Sequence, residues 1–180
     1  MKKVLLFIFV IFLSSSSLFC QWSNRSVSNE IRNDVTNTIN DFKNVEELGM
    51  YFEEAYGYAV FPSIKKAGLG IGGARGKGQV FAKEKLIGDS TVTQINLGIN
   101  FGVQSYKEII FFKDKADLDR FTAGNFELGA QASAVAINSG VSAEVEYSNG
   151  VAIFTQSIGG LMVEASIGGQ KFNFNRVIED

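Results

Sequence analysis

The side chains that could do chemistry are few, and their types and spacing decide what that chemistry is. The 180-residue chain has no histidine and a single cysteine. That removes Ser-His-Asp and Cys-His catalysis, imidazole-ligated metals and any internal disulfide. Carboxylate or lysine chemistry remains, or binding. Ser63-x-x-Lys66 has the spacing of a serine nucleophile with a lysine base, but no Lys-Thr-Gly partner follows. Gly68-x-Gly70-x-x-Gly73 matches the dinucleotide fingerprint, with Asp89 downstream. That fingerprint works only where a strand turns into a helix, and Gly76 to Lys83 alternates like a strand. Gly76-Lys77 resembles the end of a phosphate-binding loop, but Ile71 and Gly78 stand where that loop needs Gly and Ser or Thr. Asp114, Asp117 and Asp119 lack the glycine and terminal glutamate of a calcium loop. Glu144 and Glu146 share a strand face and, with Glu164, offer a carboxylate hydrolase; a solvated face is the simpler account. No catalytic residue, metal or cofactor is assigned.

The basic segment survives this filter. Residues 61–85 hold Lys65, Lys66, Arg75, Lys77, Lys83 and Lys85 against Glu84 alone, a net charge of +5. The flanking segments 21–60 and 86–180 carry -4 and -5. Read as one strand from Arg75 to Lys85, the odd positions place four cations and Phe81 on a single face. Lys65 and Lys66 join it from a preceding turn. Such a row suits an anionic lipid surface, at ~1 kcal/mol per Lys or Arg near it. The competing account is a solvated face, or an edge guarded by lysines. Gly68, Gly70 and Gly72 leave one strand face almost bare. That face either packs tightly or forms an apolar groove for a ligand chain, with Phe81 beside it.

Elements must position these residues. Met1-Lys2-Lys3 and the ten-residue apolar run Val4–Leu13 predict a secretory signal peptide over residues 1–20, cleaved before Gln21. Phe19 is a poor neighbour for lipidation of Cys20, so the lipoprotein alternative is second. The expected location is periplasmic or secreted. Val27, Ile31, Val35, Ile39 and Phe42 form one helical stripe. A second helix follows, capped by Asn44 and ended by a left-handed Gly57. From Tyr58 short apolar and glycine alternations predict strands, interrupted by one helix that Asp114 caps. The last 35 residues, broken at Asn149-Gly150, Gly159-Gly160 and Gly168-Gly169, predict an antiparallel meander. Phe61, Leu69, Ile71, Phe101, Phe111, Phe112, Phe154 and Leu161 are the expected core. The fold class is α+β. N-terminal helices pack on a largely antiparallel, strongly curved sheet or barrel with one inserted helix, in one domain over residues 21–180.

Several blocks in order carry a resemblance. Gly57 to Gly78 (GYAVFPSIKKAGLGIGGARGKG), Gln94 to Gln104, Phe121 to Phe126, Ala130 to Ala134 and Gly159 to Phe172 resemble the SYLF lipid-binding domain family, over about residues 45–174. The resemblance implies a non-enzymatic domain that binds phospholipids, of phosphoinositide type in eukaryotic members, with actin-related roles there. It implies an exported bacterial member, and it maps no catalytic residue. The expected function is therefore binding of anionic phospholipid or a membrane surface through the basic residues. The alternative is an interaction module for an envelope protein without a lipid ligand. Nucleic acid is not an expected partner.

Overall fold

The computed structural model describes residues 30–129, 135–136, 146–158 and 169–177, with backbone alone for 68–71, 96–102 and 135–136. The compact unit that carries the sheet begins at Val35. Helix α1 covers residues 30–43 and buries Val35, Thr38 and Phe42 at the spacing that its apolar stripe predicts. A 3-10 turn over Glu46–Leu48 leads into α2, Gly49–Glu54. Val45, not Asn44, sits at the N-terminal boundary of that turn, and no side chain caps it.

Two very long strands come next. β1 runs Gly57–Ala82 and β2 runs Lys85–Phe112, paired antiparallel from end to end. Their turn is Lys83-Glu84, both with positive φ, 46° and 66°. A two-residue hairpin needs that left-handed pair to match the strand twist, although Asn and Gly usually supply it. Halfway along, the register breaks: Leu69 pairs Phe101 and Ile71 pairs Leu97, so β2 uses three residues where β1 uses one. Such an irregularity bends a strand.

Here the hairpin doubles over onto itself. A Cβ on Gly78 would collide with the Val60 carbonyl and the Phe61 ring, and one on Gly76 with Ile64 and the Ser63 carbonyl. Gly57 lies equally close to the Phe81 carbonyl. It therefore serves close approach within β1, not a left-handed helix cap. The Lys83 N–H donates to the Tyr56 carbonyl at 3.0 Å, tying the turn back to the start of β1.

Helix α3, Lys115–Thr122, follows β2. The Asp114 carboxylate accepts from the Asp117 N–H at 3.0 Å, as the spacing predicts. The remaining strands are β3 (Phe126–Leu128), β4 (Val135–Ala136), β5 (Val151–Ser157) and β6 (Gln170–Arg176). β5 and β6 are not a meander. They lie in series on the second edge of β2, opposite Tyr106–Phe112 and Gly88–Gln94 respectively. β3 pairs β6 antiparallel and β4 pairs β5 parallel, which gives the order β3-β6-β2-β5-β4 with β1 on the other side of β2. The result is an α+β fold with a strongly curved, largely antiparallel half-barrel.

The core lies between the two halves of the bent sheet. Phe61, Ile64, Ile110 and Phe112 from one half meet Val80, Val92 and Phe172 from the other, with α3 contributing Leu118 and Phe121. The Phe61 and Phe172 rings are 5.6 Å apart. The opposite face of the first half is also covered, because Tyr51 of α2 packs on Phe154 at 4.8 Å and Phe52 on Phe111 at 4.9 Å. Of the expected core, Phe61, Phe111, Phe112 and Phe154 are fully buried. Leu69, Ile71, Phe101 and Leu161 lie outside the described side chains.

Candidate functional site

The outer face of the second half of the sheet faces solvent. Arg75 and Lys77 are exposed there, opposite Thr93 and Thr91, while Ala74, Gly76 and Gly78, which alternate with them, face the core. Alternation along β1 thus does place these two cations together, as expected. The rest of the row differs from the one-strand reading. Lys83 lies in the hairpin turn and Lys85 begins the returning strand, so the four cations share no single face. Phe81 follows a register shift and stacks on Tyr58 at 5.2 Å, half-buried in the fold. Lys65 and Lys66 belong to β1 itself, not to a turn. Lys65 is exposed opposite Ser105, and Lys66 is half-buried opposite Gln104.

None of these six cations joins an ion pair among the described residues. Glu84, their one acidic neighbour in sequence, pairs instead with Lys43 at 3.2 Å. Lys83 lies over the Tyr56 ring at 5.3 Å. The structure thus separates the exposed basic residues: Arg75 with Lys77 on the outer side of the second half, Lys65 on the outer side of the first half, and Lys83 with Lys85 at the turn. Gly72 is buried, and Gly68 and Gly70 lie outside the described side chains. Gly76 and Gly78, which continue their alternation, serve packing.

The other candidates are used locally. Ser63 lies at the bulge between Phe61 and Ile64. Asp114 caps α3, Asp117 pairs with Arg120 at 3.0 Å, and Asp119 with Lys115 at 2.6 Å. Glu146 is exposed, whereas Glu144 and Glu164 lie outside the described residues. A cleft of about 500 Å³ runs between Arg120, Phe126–Gly129 and Asn149–Ile153, and none of the six cations lines it.

Sequence reasoning missed a buried polar cluster. Tyr106 and Glu108 stand on the inward face of β2, and Gln94 and Gln170 meet them from the other half. The Tyr106 hydroxyl donates to Gln94 Oε1 at 2.9 Å, and Gln170 Nε2 donates to Glu108 Oε2 at 3.0 Å. Glu108 is wholly buried, and burial pushes its carboxyl up to about 7, opposed in part by the Gln170 hydrogen bond. Burial and the neighbouring Glu108 also raise the Tyr106 hydroxyl. The alternation Tyr106-x-Glu108-x-Ile110-x-Phe112 was the available signal, since it places a carboxylate on a core face.

Beta cell expansion factor A of Aeromonas veronii is similar to this chain, with 31% identity over 126 residues. Those residues are 68% of this chain and 47% of that protein, so the chain spans about half the relative's length. The family described as Ysc84, Las17-binding protein actin regulator, matches residues 93–177. Residues 93–177 thus match the Ysc84, or SYLF, family. The SYLF match opens within β2 and ends just past β6, so it includes the Gln94, Tyr106, Glu108 and Gln170 cluster. Arg75 and Lys77 precede it, on the strand that pairs with its first residues.

Proposed function

We propose that this chain is a non-enzymatic module that binds anionic phospholipid, acting outside the cytoplasm after removal of residues 1–20. The observation that carries this reading is the set of exposed cations Lys65, Arg75 and Lys77. Each is exposed on the solvent side of β1, Lys65 on the first half of the bent hairpin and Arg75 with Lys77 on the second, and none has an acidic partner among the described residues. Cations whose field is not cancelled locally attract an anionic surface, and salt weakens that attraction over a screening length of ~8 Å at physiological ionic strength. Phe81, Lys83 and Lys85 belong to a different part of the fold and contribute less; Lys66 lies beside the site. A second reading, an envelope or actin-related protein partner, is favoured by the family description as an actin regulator.

Vesicle flotation tests the proposal. Vesicles of 30% phosphatidylserine in phosphatidylcholine should carry the protein at low salt and release it as salt rises. Replacing Lys65, Arg75 and Lys77 together by Gln removes three cations, a loss of ~3 kcal/mol at ~1 kcal/mol each, or more than a hundredfold. Lys83→Gln with Lys85→Gln should weaken binding much less. Equal loss from both sets would reject the outward face as the site. Absence of binding to any vesicle would leave the protein-partner reading. N-terminal sequencing of secreted material should begin at Gln21; an acylated Cys20 would overturn cleavage there in favour of a lipid-anchored protein.

A further inference from the structure

Among the described residues, two buried oxygens without a hydrogen-bond partner belong to one joined pair of side chains: Glu108 Oε1 and Gln170 Oε1. The pair is already linked at its other atoms, where Gln170 Nε2 donates to Glu108 Oε2 at 3.0 Å. Native cores satisfy nearly all such groups, so two orphans on one pair point to a shared cause. An ionised Glu108 only accepts, and so does the Gln170 carbonyl, so neither oxygen can serve the other. One proton serves both: on Glu108 Oε1 it makes that atom a donor, and Gln170 Oε1 accepts. A carboxylic acid and a primary amide are both planar, each with a donor beside an acceptor, and two such edges close a ring of two hydrogen bonds. The surroundings favour the neutral acid. Glu108 is fully buried, opposite Phe61 on β1 and Thr155 on β5, neither of which titrates. Gln94 and Gln170 bring no charge from the other half, and the Tyr106 hydroxyl, raised by burial and by Glu108, keeps its own proton. No cation among the described residues holds the carboxyl ionised. The pair also bridges the bend. Glu108 lies in the part of β2 that pairs β5, whereas Gln170 opens β6, which pairs the far part of β2. The Tyr106–Gln94 hydrogen bond crosses the same interval.

We propose that Glu108 and Gln170 form a proton-operated latch between the two halves of the bent sheet. Closed, Glu108 Oε1–H donates to Gln170 Oε1 while Gln170 Nε2 donates to Glu108 Oε2, and the core is neutral. Release of that proton to water breaks one of the two hydrogen bonds and leaves a buried carboxylate, which gains hydration only if the halves part. The latch is therefore closed on the acid side and released on the alkaline side. One half carries Lys65 and the other Arg75 with Lys77, so the latch also governs how these cations stand to one another. It operates whatever ligand those cations meet.

Infrared difference spectra of the full chain between pH 5.5 and 8.5 read the proton directly. Exposed carboxyls are already ionised at the lower value, so a protonated-acid carbonyl band there belongs to a shifted group. The band should lie below the wavenumber of an isolated acid, because it is hydrogen-bonded, and vanish with a midpoint of about 7. Glu108→Gln should remove it and keep the fold, since an amide closes the same ring without a proton. Spin labels on Lys65→Cys and Asn173→Cys, in a Cys20→Ser background, report on the two halves, both sites being exposed. Their distance distribution should lengthen or broaden above pH 7 with Glu108 present, and keep its acid-side form once Glu108→Gln is added. Absence of the acid band at pH 5.5 would overturn the shared proton. A band at the wavenumber of an isolated acid would overturn the ring. A band that titrates while the label distances ignore pH would overturn the latch and leave a passive buried acid.

Discussion

Glu108 shows how much one residue can set. It is a carboxyl with no exposure, held by a single amide donor from Gln170, and its other oxygen has no hydrogen-bond partner among the described residues. A buried carboxylate of this kind is costly when charged, so the folded state holds the proton to about 7 where the unfolded chain releases it near 4.5. The folded form therefore binds more protons than the unfolded form through that interval. Stability is full below the lower value, falls as pH rises between the two, and stays lowered above the upper one. The interval is worth about 3 kcal/mol. Urea unfolding from pH 4.5 to 8 should show that decline, and Glu108→Gln should flatten it; a parent with pH-independent stability there would refute the account. Gly78 is set by space rather than charge. Gly78→Ala forces a methyl into the Val60 carbonyl and the Phe61 ring and should destabilise by ~2–3 kcal/mol. Gly49, with open space around it and helical φ, is the control: Gly49→Ala should be neutral or stabilising by ~0.5 kcal/mol.

At the scale of the element, β5 is the clearest case. Five consecutive residues, Val151 to Thr155, are buried because the sheet half to which they belong is covered on both faces. Phe154 touches Tyr51 of α2 and Phe111 of β2, so Phe154→Ala opens a void between sheet and helix layer and should cost ~3–5 kcal/mol in denaturant unfolding. A loss below 1 kcal/mol would mean that the helices fill the gap. How legible such elements were depended on whether a local rule applied. Period-two alternation gave the strands, and Asp114 with Asp117 gave the start of α3. The Lys83-Glu84 turn carries no Gly, Asn or Pro, so nothing in the residues announced it, and a single strand from Arg75 to Lys85 ran straight through it. Gly57 follows a helix and reads as its cap, yet its close neighbour is Phe81, twenty-four residues away. The glycine alternation was visible, but which surface would press against it depended on a bend that only the assembled sheet defines. The same holds for the candidate site: Arg75 with Lys77 followed from spacing, whereas their separation from Lys83 and Lys85 comes from the turn, and that from Lys65 from the bend.

At the scale of the molecule, the two halves of the core are made from the same two strands. Neither half has an independent chain segment, since each takes one part of β1 and one part of β2. Unfolding should therefore be one transition, with far-ultraviolet dichroism and near-ultraviolet aromatic signals coinciding across a denaturant series. Separate midpoints would show that one half survives alone. The left-handed pair at Lys83-Glu84 bears on how this chain finds its structure in time. The second half of the sheet closes by zipping outward from that turn, joining residues close in sequence, whereas Gly57 meets Phe112 only after a loop of more than fifty residues has been gathered. Loop entropy makes the short-range zipper the earlier step, and two side chains in a conformation they resist make its first contact slow. Lys83→Asn with Glu84→Gly relieves that resistance at the origin of the zipper. It should quicken refolding several-fold while leaving the unfolding rate almost unchanged, the kinetic mark of a turn already formed when the chain crosses its barrier.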